Sequence, residues 1–157
     1  MRKLLALDLS TAVGAAWLTT EGGPPRFVTE YLRGPDLAWK IGQFQVWLEE
    51  QYMIDRFDAI AWEGPLLMPT DTIDLVKLLT GLVGICYGFA GKNKLPWREV
   101  SVTDAKIALT GRGKASKADM LHAARRVAHW PVNTDHEADA GAVGVVAIER
   151  LWPTRAA

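Results

Sequence analysis

Four positions in this sequence carry side chains able to concentrate charge at one point. Asp8 closes the apolar run Leu4-Leu-Ala-Leu-Asp8, and Glu63 closes Ala59-Ile-Ala-Trp-Glu63. In His136-Glu-Ala-Asp139 an imidazole and a carboxylate stand three residues apart, on one face of a helix. Carboxylates gathered in one crevice repel each other, and burial deepens the repulsion, so such a set is stable only when a cation neutralises it. Hard oxygen ligands suit Mg2+ or Mn2+. Two such ions about 4 Å apart form the clamp that hydrolyses phosphodiesters, one activating a water and the other stabilising the leaving 3′ oxygen.

Taken alone, each residue also has a quieter reading. Asp8 could cap a turn after a strand, Glu63 could be a solvated loop acid before Gly64-Pro65, and His136 could be a surface residue at a helix start. Glu137 is read as the capping-box partner of Thr134 and is given no catalytic role. His122 and His129 are read as structural residues of a surface helix.

The elements needed to gather the four are visible in the pattern. Residues 2–8 read as a buried strand, 14–20 and 26–32 as the next two strands of an antiparallel meander, with Gly22-Gly23-Pro24-Pro25 as the turn. Asp36 caps a helix to about Met53, residues 57–63 form a fourth strand, and 71–90 have helical period with Gly81, Gly84 and Gly88 along them. Residues 95–100 form a fifth strand, and Thr103 caps a short helix to Leu109. Ser116 with Asp119 opens a helix to about Ala128, and Thr134 with Glu137, a full capping box, opens the last one, to about Leu151. Strands linked first by hairpins and then by helices imply an α/β fold, a five-stranded mixed sheet flanked by helices on both faces. If the first and fourth strands are parallel neighbours, Asp8 and Glu63 share the crevice at their C-terminal tips, where such sheets place their sites.

With 157 residues, the chain is expected to be one domain, 1–157. Hydrophobic residues make up 49%, which excludes a disordered chain, and the one cysteine, Cys86, excludes an internal disulfide framework. No apolar run reads as long enough to span a membrane, and no signal sequence is visible, so a cytoplasmic protein without membrane contact is expected. Eighteen basic residues balance eighteen acidic ones, which argues against gripping nucleic acid by bulk charge. The balance hides a pattern, because residues 92–126 hold nine basic and three acidic residues, a net +6. That segment reads either as ordinary surface charge or as a patch for phosphates.

At these residues the sequence resembles the RuvC-type Holliday-junction resolvases, within the RNase H-like nuclease superfamily, over roughly residues 3–150. Leu5-Ala-Leu-Asp8-Leu-Ser-Thr-Ala-Val-Gly14 is similar to the family's opening strand and turn, and Ala61-Trp-Glu63 to its second acidic strand end. Lys106 and Gly111-Arg-Gly-Lys-Ala-Ser-Lys117 resemble its basic segment, and His136-Glu-Ala-Asp139 its final motif. The resemblance implies an RNase H-like fold and a metal-dependent crossover junction endodeoxyribonuclease that resolves four-way junctions, and other branched DNA, by paired nicks leaving 5′ phosphates. It implies Asp8, Glu63, His136 and Asp139 as catalytic, metal-binding residues for two Mg2+ or Mn2+ ions, and Lys117 as a further catalytic residue. Where many members have Asp, this chain has His136, which could ligate metal or act as a general acid. Lys106, Arg112, Lys114 and Lys117 would contact DNA. The loop after Glu63 lacks the aromatic wedge common in the family and offers Leu66 or Met68 instead, which could insert between bases or simply pack. A homodimer, with helix 71–90 as a candidate contact, and a bacterial or phage source also follow from the resemblance.

Two other readings compete. A branched-DNA-binding module with weak or no cleavage draws support from His136 in place of a carboxylate. A phosphotransferase of the actin and sugar-kinase fold would set Asp8 and Ser10-Thr11 against phosphates, but it needs two such domains around a nucleotide.

Overall fold

The computed structural model describes residues 1–153; the end of the expected domain, 154–157, lies outside the described residues. Strands β1 (Lys3–Asp8), β2 (Ala12–Thr19) and β3 (Arg26–Tyr31) form the antiparallel meander. Helix α1 (Leu37–Ile54) leads to β4 (Ala59–Glu63), and α2 (Ile73–Asn93) leads to β5 (Trp97–Val100). Three helices follow, α3 (Val102–Thr110), α4 (Lys117–His122) and α5 (Asp135–Leu151). The sheet order is β3-β2-β1-β4-β5, with β1–β4 and β4–β5 parallel.

Alternation along β1 divides the molecule into two cores. Leu5 and Leu7 face a layer of large side chains beneath α1 and α2, including Trp17, Phe44, Trp47, Leu48, Leu82 and Phe89. Leu4 and Ala6 face a layer of smaller ones beneath α3 and α5, including Ala16, Ala140, Val143 and Ala147. Small side chains let α5 lie close on the sheet. A Cβ on Gly144 would stand 2.2 Å from Leu18 Cδ1, so only glycine admits that approach. At the other end of the contact, a Cβ on Gly14 of β2 would stand 2.0 Å from the His136 carbonyl oxygen. The first turn of α5 is therefore pressed onto the opening of β2. Cys86 lies wholly inside the first core, and burial pushes its thiol pKa up.

Several local expectations are corrected. Ser101 rather than Thr103 caps α3, its hydroxyl accepting from Asp104 N at 3.0 Å. Helix α4 ends at His122 and widens into one π-helical turn, Ala123–Val127. The Thr134–Glu137 box is only half formed: the Thr134 hydroxyl accepts from Glu137 N at 3.2 Å, but the Glu137 carboxylate turns elsewhere. Of the glycines in α2, Gly81 meets Ile41 of α1, where a Cβ would stand 2.6 Å from its Cδ1, whereas Gly84 and Gly88 face open space. Helix α2 also corrects the reading that no stretch is long and apolar enough to span a membrane. Its 21 residues reach a mean hydropathy of 1.6 in the most apolar window. Here its inner face, Leu78, Leu82, Cys86, Phe89 and Ala90, belongs to the core.

Candidate active site

Parallel pairing sets Leu7 of β1 beside Trp62 of β4, so the next residues, Asp8 and Glu63, end neighbouring strands at the same edge. Helix α5 crosses that edge with its N-terminal turn, bringing His136 and Asp139. Helices α3 and α4, packed beside α5, add Lys106 and Lys117. Together Asp8, Ser10, Glu63, Val102, Lys106, Lys117, Met120, His136 and Asp139 line one cavity of about 270 Å³. All four acid and imidazole residues expected from the sequence thus meet in one place, with two of the four expected cationic DNA contacts.

The electrostatics of this cavity are those of an uncompensated anionic cluster. Burial, then the charges of Asp8 and Asp139, push the Glu63 carboxyl up to about 8, against a smaller opposing pull from Lys106. Burial, then Asp8 and Asp135, push Asp139 up to about 7, against His136 and Lys117. Among the described residues, no three carboxylate, imidazole or thiolate side chains already converge as a compact metal shell. A hard divalent cation fits this donor set: three carboxylates in a shared cavity, two of them costly to ionise until a positive charge is brought among them.

The imidazole is committed on one side. His136 Nδ1 lies 2.8 Å from Asp8 Oδ2, and this hydrogen bond raises the His136 pKa despite partial burial. The Nε2 atom has no hydrogen-bond partner among the described residues. Lys117 reaches the site from the first position of α4, with Nζ 3.2 Å from Asp135 Oδ2. That bond raises the Lys117 pKa. Burial alone would raise Asp135, but the Lys117 hydrogen bond and the His136 and Lys117 charges outweigh it and hold Asp135 low.

Asp135 is the residue that sequence reasoning missed. It precedes His136 and stands four residues before Asp139, a helical spacing that puts it on the same face, so the signal was present. An acid in the first turn of a helix is also favoured by the helix dipole, so its position alone does not single it out. Glu137 is 4% exposed, and its carboxylate accepts from Asn133 N at 2.6 Å and from the Thr29 hydroxyl at 3.1 Å. It pins the turn carrying Asp135, His136 and Asp139 to β3 and to the preceding loop.

The remaining expected contacts lie outside the cavity. Arg112 pairs with Asp119 at 3.3 Å, and Lys114 is exposed. Leu66 and Met68 stand on the loop after β4, 68% and 52% exposed. Leu66 lines an adjoining groove of about 620 Å³ that shares Val102 and Lys106 with the cavity. Behind that loop, Trp62 Nε1 donates to Glu99 at 3.0 Å and the ring stacks on Trp97 at 5.6 Å.

No protein-family model matches the chain, and no curated protein sequence does. Solved structures do match. The Thermus thermophilus RuvC structure superposes with a TM-score of 0.72 at 20% identity, covering 91% of each chain. T. thermophilus RuvC in complex with a Holliday junction substrate gives 0.76 at 18% identity and 98% of each chain. The yeast mitochondrial Holliday junction resolvase Ydc2 gives 0.64 at 13% identity, over 92% of this chain and 76% of that one. The chain has the RNase H-like fold of these resolvases, as the sequence led one to expect.

Proposed function

We propose that this chain is a divalent-metal-dependent endonuclease that resolves four-way DNA junctions by nicking them in pairs. The observation that carries this reading is the convergence of Asp8, Glu63, His136 and Asp139 with Lys106 and Lys117 in one cavity, at the ends of parallel strands of a resolvase fold. Asp8, Glu63 and Asp139 are the residues that would hold the ions, with His136 as a fourth ligand through Nε2. Mg2+ or Mn2+ bound there would neutralise the cluster and supply an acidified water for attack on phosphorus.

The chain's own groups supply the rest. Lys106 and Lys117 bind the non-bridging oxygens of the scissile phosphate and face the charge that builds on it. Asp135 holds Lys117 extended toward the cavity. Asp8 fixes the tautomer and plane of His136 through Nδ1, which leaves Nε2 as its working atom. Glu63, raised to about 8, holds its proton at neutral pH, and Asp139, raised to about 7, holds its own in about half the molecules, so cation loading releases protons.

A four-way junction has two-fold symmetry, and a symmetric pair of sites matches it. We place the dimer contact on the outer face of α2, where Thr80, Gly84, Tyr87 and Gly88 form an exposed, uncharged stretch between Lys77 and Lys92. Leu66 and Met68 are placed at the opened crossover as aliphatic wedges, and Arg112 and Lys114 against the flanking backbone.

The test is a cleavage gel with four-way junctions and Mg2+ or Mn2+. Wild type should cut and Asp8→Asn should lose about 10²-fold or more. Equal cutting by the two proteins would sink the nuclease reading. Junction binding that is independent of metal and yields no product would move the assignment to a binding module.

A further inference from the structure

We propose that the outer face of α4 and its π-helical turn is a second phosphate-binding site, which takes the backbone of a DNA arm several nucleotides from the cut. The inference rests on the nuclease reading above and names a surface which that reading does not use.

Ala118, Leu121, His122, Arg125 and Arg126 line an open groove of about 300 Å³. Their spacing of three, four, seven and eight places them on one helical face. His122, Arg125 and Arg126 are exposed, while Ala118 and Leu121 give the groove an apolar floor suited to a deoxyribose. The two arginines differ usefully. Arg125 is anchored: its Nε donates to Val132 O at 3.1 Å and one terminal nitrogen donates to Asn133 O at 3.2 Å. A guanidinium carries five N–H donors, so a rigidly held fork still faces outward with donors to spare. Arg126 makes no ion pair or hydrogen bond through its side chain among the described residues.

In the same basic third, Lys92 is paired with Glu49, Arg112 with Asp119 and Lys117 with Asp135, whereas Lys94, Arg98, Lys106 and Lys114 make no ion pair among the described residues. No carboxylate pairs with Arg125 or Arg126 among the described residues. The backbone beneath them is also distinctive, a wide turn closed by Ala128 N donating to Ala123 O at 2.9 Å. Such turns are uncommon and recur at functional sites.

The groove is in register with the active site because both sit on one element. Lys117, at the first position of α4, lines the catalytic cavity, and Arg125 and Arg126 follow eight and nine residues later. At about 1.5 Å per residue this is about 12 Å along the axis. That distance is short enough for one DNA arm to reach from a phosphate held at Lys117 to the groove within a few nucleotides. The contact touches backbone only, and so adds affinity and salt dependence without sequence preference.

The experiment measures junction binding in buffer free of divalent ions for wild type, Arg126→Ala and Arg126→Glu, over a range of salt. Arg126→Ala should weaken binding roughly 3- to 10-fold near 0.1 M salt and flatten the slope of log K against log salt by about 1, with a larger loss for Arg126→Glu. A neutral methylphosphonate moved stepwise through the first few nucleotides beside the cut should, at one position, weaken wild type by a similar factor and leave the Arg126 variants unchanged. The wild-type half of that arm alters only the DNA, so it does not depend on how well a variant folds. Unchanged affinity and slope in both variants, or an equal methylphosphonate loss in all three proteins, overturns the groove. If the variants bind as wild type does while wild type still cuts, the groove alone fails. If wild type neither binds nor cuts junctions, the groove falls with the nuclease reading.

Discussion

Glu63→Gln should stabilise the metal-free protein at pH 8 while destroying its activity. The Glu63 side chain has no hydrogen-bond partner among the described residues, so the neutral isostere gives up no contact there. What it removes is a carboxylate forced to ionise among Asp8 and Asp139. Raising a carboxyl from 4.5 to about 8 corresponds to about 4–5 kcal/mol at full ionisation. Water in the open cavity screens part of this, leaving roughly 2–3 kcal/mol. The sign follows from linkage. A folded-state pKa above the unfolded one favours the fold below about 4.5, and that contribution is lost as pH rises through about 8. Wild type in EDTA should therefore melt progressively lower from pH 5 to pH 8, and Glu63→Gln much less so. For a chain of 157 residues, the gap at pH 8 should be roughly 5–10 °C in favour of the variant, shrinking toward zero near pH 5. Adding Mn2+ at pH 8 should then raise wild type and leave the variant nearly where it was. The measurement is a set of thermal melts in EDTA and in Mn2+. A variant that melts at or below wild type at pH 8 in EDTA, or a gap independent of pH, would refute the idea of a repulsive cluster awaiting a cation.

Other substitutions test the supports. Gly14→Ala drives a methyl into the His136 carbonyl, so it should cost roughly 1–3 kcal/mol and depress cleavage; a variant as stable and active as wild type would contradict that contact. Lys117→Ala should lower the single-turnover cleavage rate roughly 10²- to 10³-fold while junction binding falls far less, and a loss confined to binding would remove Lys117 from the chemistry. Gly84→Glu faces open space in one chain and should fold normally, yet halve the solution mass and uncouple the paired nicks. An unchanged mass by light scattering would place the dimer contact elsewhere.

The strand ends bearing Asp8 and Glu63 were legible because an apolar run that stops at an acid reports both burial and the exit from it. The lysines were legible as positions but not as partners, since nothing local ties Lys117 to Asp135 across the loop between α4 and α5. Asp135 was not legible, because an acid in a first helical turn is common for the helix dipole alone and only its pairing with Lys117 sets it apart. Glu137 shows the converse. Its spacing from Thr134 satisfies the capping-box rule, yet its carboxylate takes the neighbouring Asn133 N and the distant Thr29 hydroxyl instead of the Thr134 backbone. The wide turn at Ala123–Val127 follows no residue signal such as Gly or Pro, and only the packing of the loop after it, caught by Arg125, makes it visible.

The burial of Cys86 gives this protein a built-in clock for its own opening. The thiol is the single one in the chain, it is 0% exposed, and its raised pKa suppresses the reactive thiolate. A thiol reagent can reach it only when the layer between α2 and the sheet comes apart. The labelling rate of the unmodified protein therefore counts those openings, and slower labelling on adding Mn2+ or junction DNA would report ligand-linked tightening of the fold. The same silence makes every introduced surface cysteine a unique attachment point, so dyes can be set on the loop bearing Leu66 or beside Arg126 without first engineering a thiol-free background.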